Sequence, residues 1–124
     1  MDVRRNLLTE RTIESVLIVD DDEGFCRVAA ELLADRGYRV LGCATSAAEA
    51  LTQCEALDPD AVLLDIRLPD GNGVQLAGTL HARPDPPSIL LTSSDRKAVR
   101  PEQVRASGAC GFVAKTELAG FLAQ

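Results

Sequence analysis

The sequence predicts an α/β fold in which a parallel sheet is covered by helices on both faces. Three observations predict it. Apolar runs of strand length alternate five times with segments of helical period, the connections are too long for hairpins, and polar residues cluster where the apolar runs end. The 124 residues suffice for one hydrophobic core and not for two.

The elements follow in chain order. Residues 1–14 mix charge with a short apolar pair, Leu7 and Leu8, show no sustained period, and read as a flexible leader to a domain over 15–124. Val16 to Val19 is an unbroken apolar run cut off by three aspartates, as expected of a strand buried on both faces. From Glu23 to Arg36 the residues Phe25, Val28, Ala29, Leu32 and Leu33 recur at helical spacing, and Gly37 supplies the stop. Tyr38 to Cys43 reads as the second strand and Ser46 to Leu57 as the second helix, with Ser46 as cap and Glu49 three residues on.

Ala61 to Leu64 is a third strand running into Asp65, and a loop from Leu68 to Gly73 leads to a helix over Val74 to Ala82, closed by a proline-rich stretch. Ser88 to Leu91 is the fourth strand, ending at Thr92. Pro101 would break a helix running from Asp95, so the fourth helix is placed at Pro101 to Ser107 with the proline as its first residue. Cys110 to Ala114 and Thr116 to Ala123 supply the last strand and a short last helix.

Composition narrows the function. Hydrophobic residues are 46% and charged residues 26% of the chain, an ordinary globular balance. A net charge of -6 and a pI near 4.7 disfavour direct contact with nucleic acid or anionic lipid. No apolar run is long enough to span a bilayer and the N-terminus lacks the apolar core of a signal peptide, so a cytoplasmic protein is expected. Cys26, Cys43, Cys54 and Cys110 form no C-x-x-C pair, His81 is the lone histidine, and the four cysteines read as reduced, partly buried thiols.

In doubly wound sheets the working site lies beyond the carboxyl ends of the strands. Those ends carry Asp20 and Asp21 after the first strand, Asp65 after the third, Thr92 after the fourth and Lys115 after the fifth. Three close carboxylates repel one another unless a cation offsets them, and an all-oxygen donor set favours magnesium over zinc. Asp65 is then a candidate nucleophile, able to form an acyl phosphate without a base, with Lys115 offsetting charge and Thr92 donating a hydrogen bond. Lys115 is one of two lysines beside eleven arginines.

Each residue alone has an ordinary structural reading as a cap, a turn residue or a charged strand end, and Asp22 keeps that reading. Their shared edge sets the five apart.

These residues resemble the receiver domain of bacterial two-component response regulators, the chemotaxis-regulator family. The matching segments are Val16 to Asp22, Ala61 to Gly73, Ile89 to Ser93 and Gly108 to Lys115, in family order. The resemblance implies a flavodoxin-like three-layer sandwich with strand order 2-1-3-4-5. It implies Asp20, Asp21, Asp65 and the Arg67 backbone carbonyl as magnesium ligands, Asp65 as phosphoacceptor, Lys115 as phosphate contact, and Thr92 and Phe112 as switch residues. It also implies a phosphorelay role: a sensor histidine kinase or histidine phosphotransfer protein as donor, a downstream protein partner of unknown identity, and a monomer or weak homodimer that catalyses only its own phosphorylation and dephosphorylation.

The sequence departs from the family pattern in four ways. Thr116 stands where proline is usual, so a trans Lys115–Thr116 bond is expected. The last helix is short, which weakens a common pairing surface. Arg67 places a long cation where it would cover the site and slow attack by water. With Gln124 last, no output domain is expected in this chain.

Arg96, Lys97, Arg100 and Arg105 surround the fourth helix and read as a solvated charged face or, alternatively, a docking face. Two other classes remain open. A haloacid-dehalogenase-type phosphatase needs a second aspartate where Arg67 stands, and a flavin carrier needs aromatics in a chain with one Tyr, three Phe and no Trp.

Overall fold

In the computed structural model the described residues are 5–6 and 11–124. Five strands, β1 (Ser15–Val19), β2 (Arg39–Ala44), β3 (Ala61–Asp65), β4 (Ser88–Ser93) and β5 (Gly111–Ala114), form one parallel sheet in the order 2-1-3-4-5. Helices α1 (Glu23–Asp35), α2 (Ala47–Leu57), α3 (Gly73–His81), α4 (Pro101–Ser107) and α5 (Leu118–Leu122) connect and cover them. This is the doubly wound three-layer sandwich that the sequence predicts.

The unbroken apolar run of β1 is explained by its two covered faces. Its alternate residues Leu17 and Val19 join a core under α2, α3 and α4, together with Leu64, Leu80 and Leu91. Val16 and Ile18 join a second core under α1 and α5, with Ala29, Leu33 and Leu118. Period-two alternation in a strand buried on both sides leaves no polar position from Val16 to Val19. Burying each of the large aliphatic residues contributes about 1.5–3 kcal/mol.

Helix ends follow local chemistry. Asp22 caps α1 by accepting from Phe25 N, Ser46 caps α2 by accepting from Glu49 N, and Pro101 opens α4. Helix α1 stops where Gly37 adopts φ 89°, with the Gly37 and Tyr38 amides bonding back to Ala34 and Leu33 carbonyls.

Several expectations are corrected. Thr92 and Ser93 extend β4 rather than follow it. The last helix begins as a 3-10 turn, Lys115–Glu117, before α5. The loop after Asp65 holds a two-residue antiparallel ladder, Arg67–Leu68 against Gly71–Asn72, closed by Pro69 and Asp70.

Cys26 and Cys43 are disulfide-bonded rather than reduced, because α1 packs on β2 and brings their Cα atoms to 6.4 Å, a bridgeable span. Cys54 and Cys110 are free, the first buried and the second exposed. The expected leader falls partly outside the described residues; within it, Arg5–Asn6 pairs antiparallel with Arg11–Thr12. All peptide bonds among the described residues are trans, Lys115–Thr116 included, as expected. Among the described residues no helix is long and apolar enough to cross a membrane.

Candidate functional site

The carboxyl edge of the sheet brings Asp20, Asp21, Asp65, Thr92 and Lys115 together from four strands. Asp20 follows β1, and its amide is fixed by donating to Ala44 O of β2 at 2.9 Å. Asp65 is the last residue of β3 and lies in register with Thr92 of β4. Lys115 leaves β5 at the start of the 3-10 turn and reaches back across the edge. Its ammonium lies 2.7 Å from Asp20 Oδ2 and 3.3 Å from Asp65 Oδ2.

One carboxylate oxygen each from Asp20, Asp21 and Asp65 lie within 4.8 Å of one another. Asp20 and Asp65 are buried, whereas Asp21 is exposed. Asp20 Oδ1 accepts from Asp22 N at 2.9 Å. Asp20 Oδ2 receives no well-directed hydrogen bond, so what compensates it is the charge of Lys115.

Burial pushes the Asp20 carboxyl above its ordinary value, against the opposing pull of Lys115 and the Asp22 amide, with Asp65 adding repulsion. Burial draws Lys115 down, but its close pairing with the Asp20 carboxylate, reinforced by Asp65, outweighs burial and leaves it raised. Three acids therefore face one ammonium. The donor set is all oxygen and includes a buried oxygen without a directed hydrogen bond, a combination that fits a hard divalent cation.

The hydroxyl of Thr92 is also buried without a hydrogen-bond partner. Leaving such a group unpaired costs about 1–3 kcal/mol, so its presence points to an acceptor supplied from outside the chain. The Thr92 carbonyl is occupied, accepting from Ile66 N at 3.0 Å, which ties the loop after Asp65 to β4. Arg67 N donates to Asp65 Oδ1 at 3.2 Å, while the Arg67 side chain is exposed. Phe112 on β5 is half-buried and already packs against the core beneath α4.

Gly73 holds this loop close. Its amide donates to Ile66 O at 2.7 Å, and a Cβ there would collide with the Asp65 carbonyl oxygen. The same loop is clamped to α2 by Asp70, whose carboxylate accepts from Ala47 N at 2.7 Å and Ala48 N at 3.0 Å. Asp70 and Gly73 lie in the segment Ala61 to Gly73 that carries the family resemblance, but the contacts they make are not visible in the sequence.

Phe25, read from the sequence only as a core position of the first helix, has its ring under the Lys115 ammonium, 4.6 Å from centroid to nitrogen. Asp22 is occupied as the α1 cap, in keeping with its ordinary structural reading. Arg96, Lys97, Arg100 and Arg105 are exposed, and Arg96 pairs with Glu117 at 3.5 Å.

A five-stranded doubly wound sheet with acids and a lysine gathered at its carboxyl edge defines the class of response-regulator receivers. The family model described as response regulator receiver domain matches residues 16–123, and the chain belongs to that family.

Among curated proteins it is 42% identical over 102 residues to the DNA-binding transcriptional activator DevR/DosR of Mycobacterium tuberculosis, covering 81% of this chain and 46% of that protein. It is 43% identical over 100 residues to the positive alginate biosynthesis regulatory protein of Pseudomonas aeruginosa, covering 76% and 39%. The chain thus spans about half the length, or less, of these relatives.

Among solved structures, a LuxR-family two-component response regulator from Aurantimonas superposes with a TM-score of 0.81 at 24% identity, covering 90% of this chain and 81% of that one, a likeness of fold. The BeF3-activated N-terminal receiver domain of Klebsiella pneumoniae RstA superposes with a TM-score of 0.75 at 25% identity, covering 83% and 86%.

Proposed function

We propose that this chain is a phosphorylation switch that accepts a phosphoryl group on Asp65 and relays its presence through Thr92 and Phe112. The observation that carries the reading is the buried, unpartnered Thr92 hydroxyl beside a buried aspartate that a lysine faces at 3.3 Å. Such a hydroxyl requires an acceptor, and a phosphoryl oxygen on Asp65 would supply one.

In the proposed reaction a carboxylate oxygen of Asp65 bonds to phosphorus while the bond from phosphorus to the donor imidazole nitrogen breaks, its electron pair leaving with the imidazole. Arg67 N restrains Asp65 through Oδ1, so the carboxylate is oriented before the donor arrives. Lys115, already beside Asp65, offsets the negative charge that accumulates on the transferred group. Asp20, Asp21, Asp65 and the Arg67 backbone carbonyl would hold magnesium, which when bound supplies further charge neutralisation at the phosphoryl oxygens. The exposed Arg67 side chain would stand over the site and slow attack by water on the product.

The domain proper is residues 15–124, with 1–14 as its leader. The donor is a sensor histidine kinase or a histidine phosphotransfer protein, and the chain turns over only its own phosphoryl group. We assign it to the cytoplasm as a monomer or weak homodimer that signals to a protein partner. The reading is tested by incubating the protein with acetyl phosphate, with and without magnesium. A hydroxylamine-labile phosphoryl group, formed only with the metal, is expected. A degenerate receiver that only binds a partner would remain unlabelled.

A further inference from the structure

We propose that Phe25 is a positioning residue for the phosphoryl-transfer site, its ring holding the Lys115 ammonium in the space between Asp20 and Asp65. The proposal rests on the phosphoacceptor reading of Asp65 and adds a residue outside the acid, hydroxyl and lysine set.

Lys115 has a flexible four-carbon stem, and a surface lysine ordinarily keeps its ammonium in water. In this fold its side chain is only 13% exposed. Two carboxylates hold the ammonium at 2.7 and 3.3 Å, and the face of Phe25 covers a further side at 4.6 Å. A cation over an aromatic face is attracted by the ring quadrupole, more strongly where water is excluded.

The ring is itself placed by the acidic segment of the site. Asp22, next in the chain to Asp20 and Asp21, caps α1 by accepting from Phe25 N at 3.2 Å, and its carbonyl accepts from Cys26 N at 3.0 Å. Cys26 in turn is bonded to Cys43 on β2. The first turn of α1 is thereby fixed to the strand edge that carries the acids, and Phe25 with it. An aliphatic side chain of similar bulk would fill the space but lack the quadrupole, leaving the ammonium freer to swing toward solvent or toward Asp20 alone.

The test compares wild type with Phe25→Leu and Phe25→Tyr. The NMR signals of the Lys115 ε-protons are read against those of Lys97, the exposed second lysine, and phosphorylation by acetyl phosphate with magnesium is timed. In wild type and Phe25→Tyr the Lys115 ε-protons are expected upfield of those of Lys97 through the ring current. In Phe25→Leu that shift should vanish, with phosphorylation slower by about three- to tenfold.

Lys115 signals that coincide with those of Lys97 in wild type would overturn the proposal without any substitution. So would a Phe25→Leu protein that is labelled as fast as a labelled wild type. A wild type that takes no label overturns the phosphoacceptor reading and this role together, and is thus distinct from failure of Phe25 alone.

Discussion

Lys115 lies closer to Asp20, at 2.7 Å, than to Asp65, at 3.3 Å, so in the free protein its ammonium is first the counter-ion of the buried acid that follows β1. The lysine bridges two acids that leave neighbouring strands, and the edge still holds more negative than positive charge. A divalent cation entering there would meet a site organised for positive charge but not saturated with it.

The three consecutive aspartates, Asp20, Asp21 and Asp22, are used differently. Asp21 offers an oxygen to the acidic cluster, whereas Asp22 Oδ1 is engaged by Phe25 N at 3.2 Å. Asp21→Ala should weaken magnesium binding by about tenfold or more, following the loss of one of few charged ligands. Asp22→Ala should cost about 0.5–2 kcal/mol of stability as a lost helix cap, with a smaller change in affinity. A magnesium titration monitored by NMR, with thermal melts alongside, checks both; equal losses of affinity would refute the ordering.

Asp70 should give the protein an acid-sensitive clamp. Its pKa is lowered by the hydrogen bonds from the amides of Ala47 and Ala48, at the start of α2. A carboxylate whose folded pKa is depressed contributes stability that is present above its unfolded value, 3.8, and lost as pH falls through the folded value. Asp70→Ala should therefore melt below wild type at neutral pH, and the two curves should converge in acid, below the folded pKa. Melting temperature followed against pH is the check, and a gap that widens in acid would contradict it.

Gly73 should tolerate no side chain. A Cβ would collide with backbone of Asp65 and Ile66, which cannot swing aside as a side chain can. Gly73→Ala is expected to cost at least about 2 kcal/mol in urea unfolding, in the range of overpacked cores, and to disturb Asp65 as well. An unchanged midpoint would show that the loop yields freely.

The signal should leave through Thr92 and Phe112. Because Phe112 already packs partly inward, the free protein should sample the inward ring appreciably, and phosphorylation should complete a movement already begun. Fluorine NMR of labelled Phe112 should shift with magnesium and beryllofluoride in wild type and shift less in Thr92→Ala. A ring signal unchanged by the mimic in wild type would redirect the output to the loop between Ser93 and Arg100.

The parallel sheet and the five residues at its edge were legible because they leave strong local traces, whereas the strand order came from the family resemblance. Apolar runs bounded by aspartates mark buried strands, and strand ends in a doubly wound fold share one edge. What escaped depends on contacts between distant segments. The disulfide joins Cys26 to Cys43 across a helix and a strand, a pairing with no motif spacing. Asp70 reaches back to Ala47 and Ala48 from a turn that reads as ordinary loop chemistry. Phe25 carried only the helical-period signal, because its ring meets Lys115 through tertiary packing alone. The 3-10 turn at Lys115 escaped because one tight turn leaves too short a pattern to separate from the helix that follows.

The proposed role of Asp65 as carrier of the phosphoryl group is open to a direct measurement. The most direct measurement is peptide mapping by mass spectrometry after treatment with acetyl phosphate and magnesium, in wild type and in Asp65→Asn, whose amide keeps the shape but is not a nucleophile. One hydroxylamine-labile phosphoryl group is expected on the wild-type peptide that contains Asp65 and none on the folded mutant. Full labelling of Asp65→Asn, or label on another residue in wild type, would contradict it.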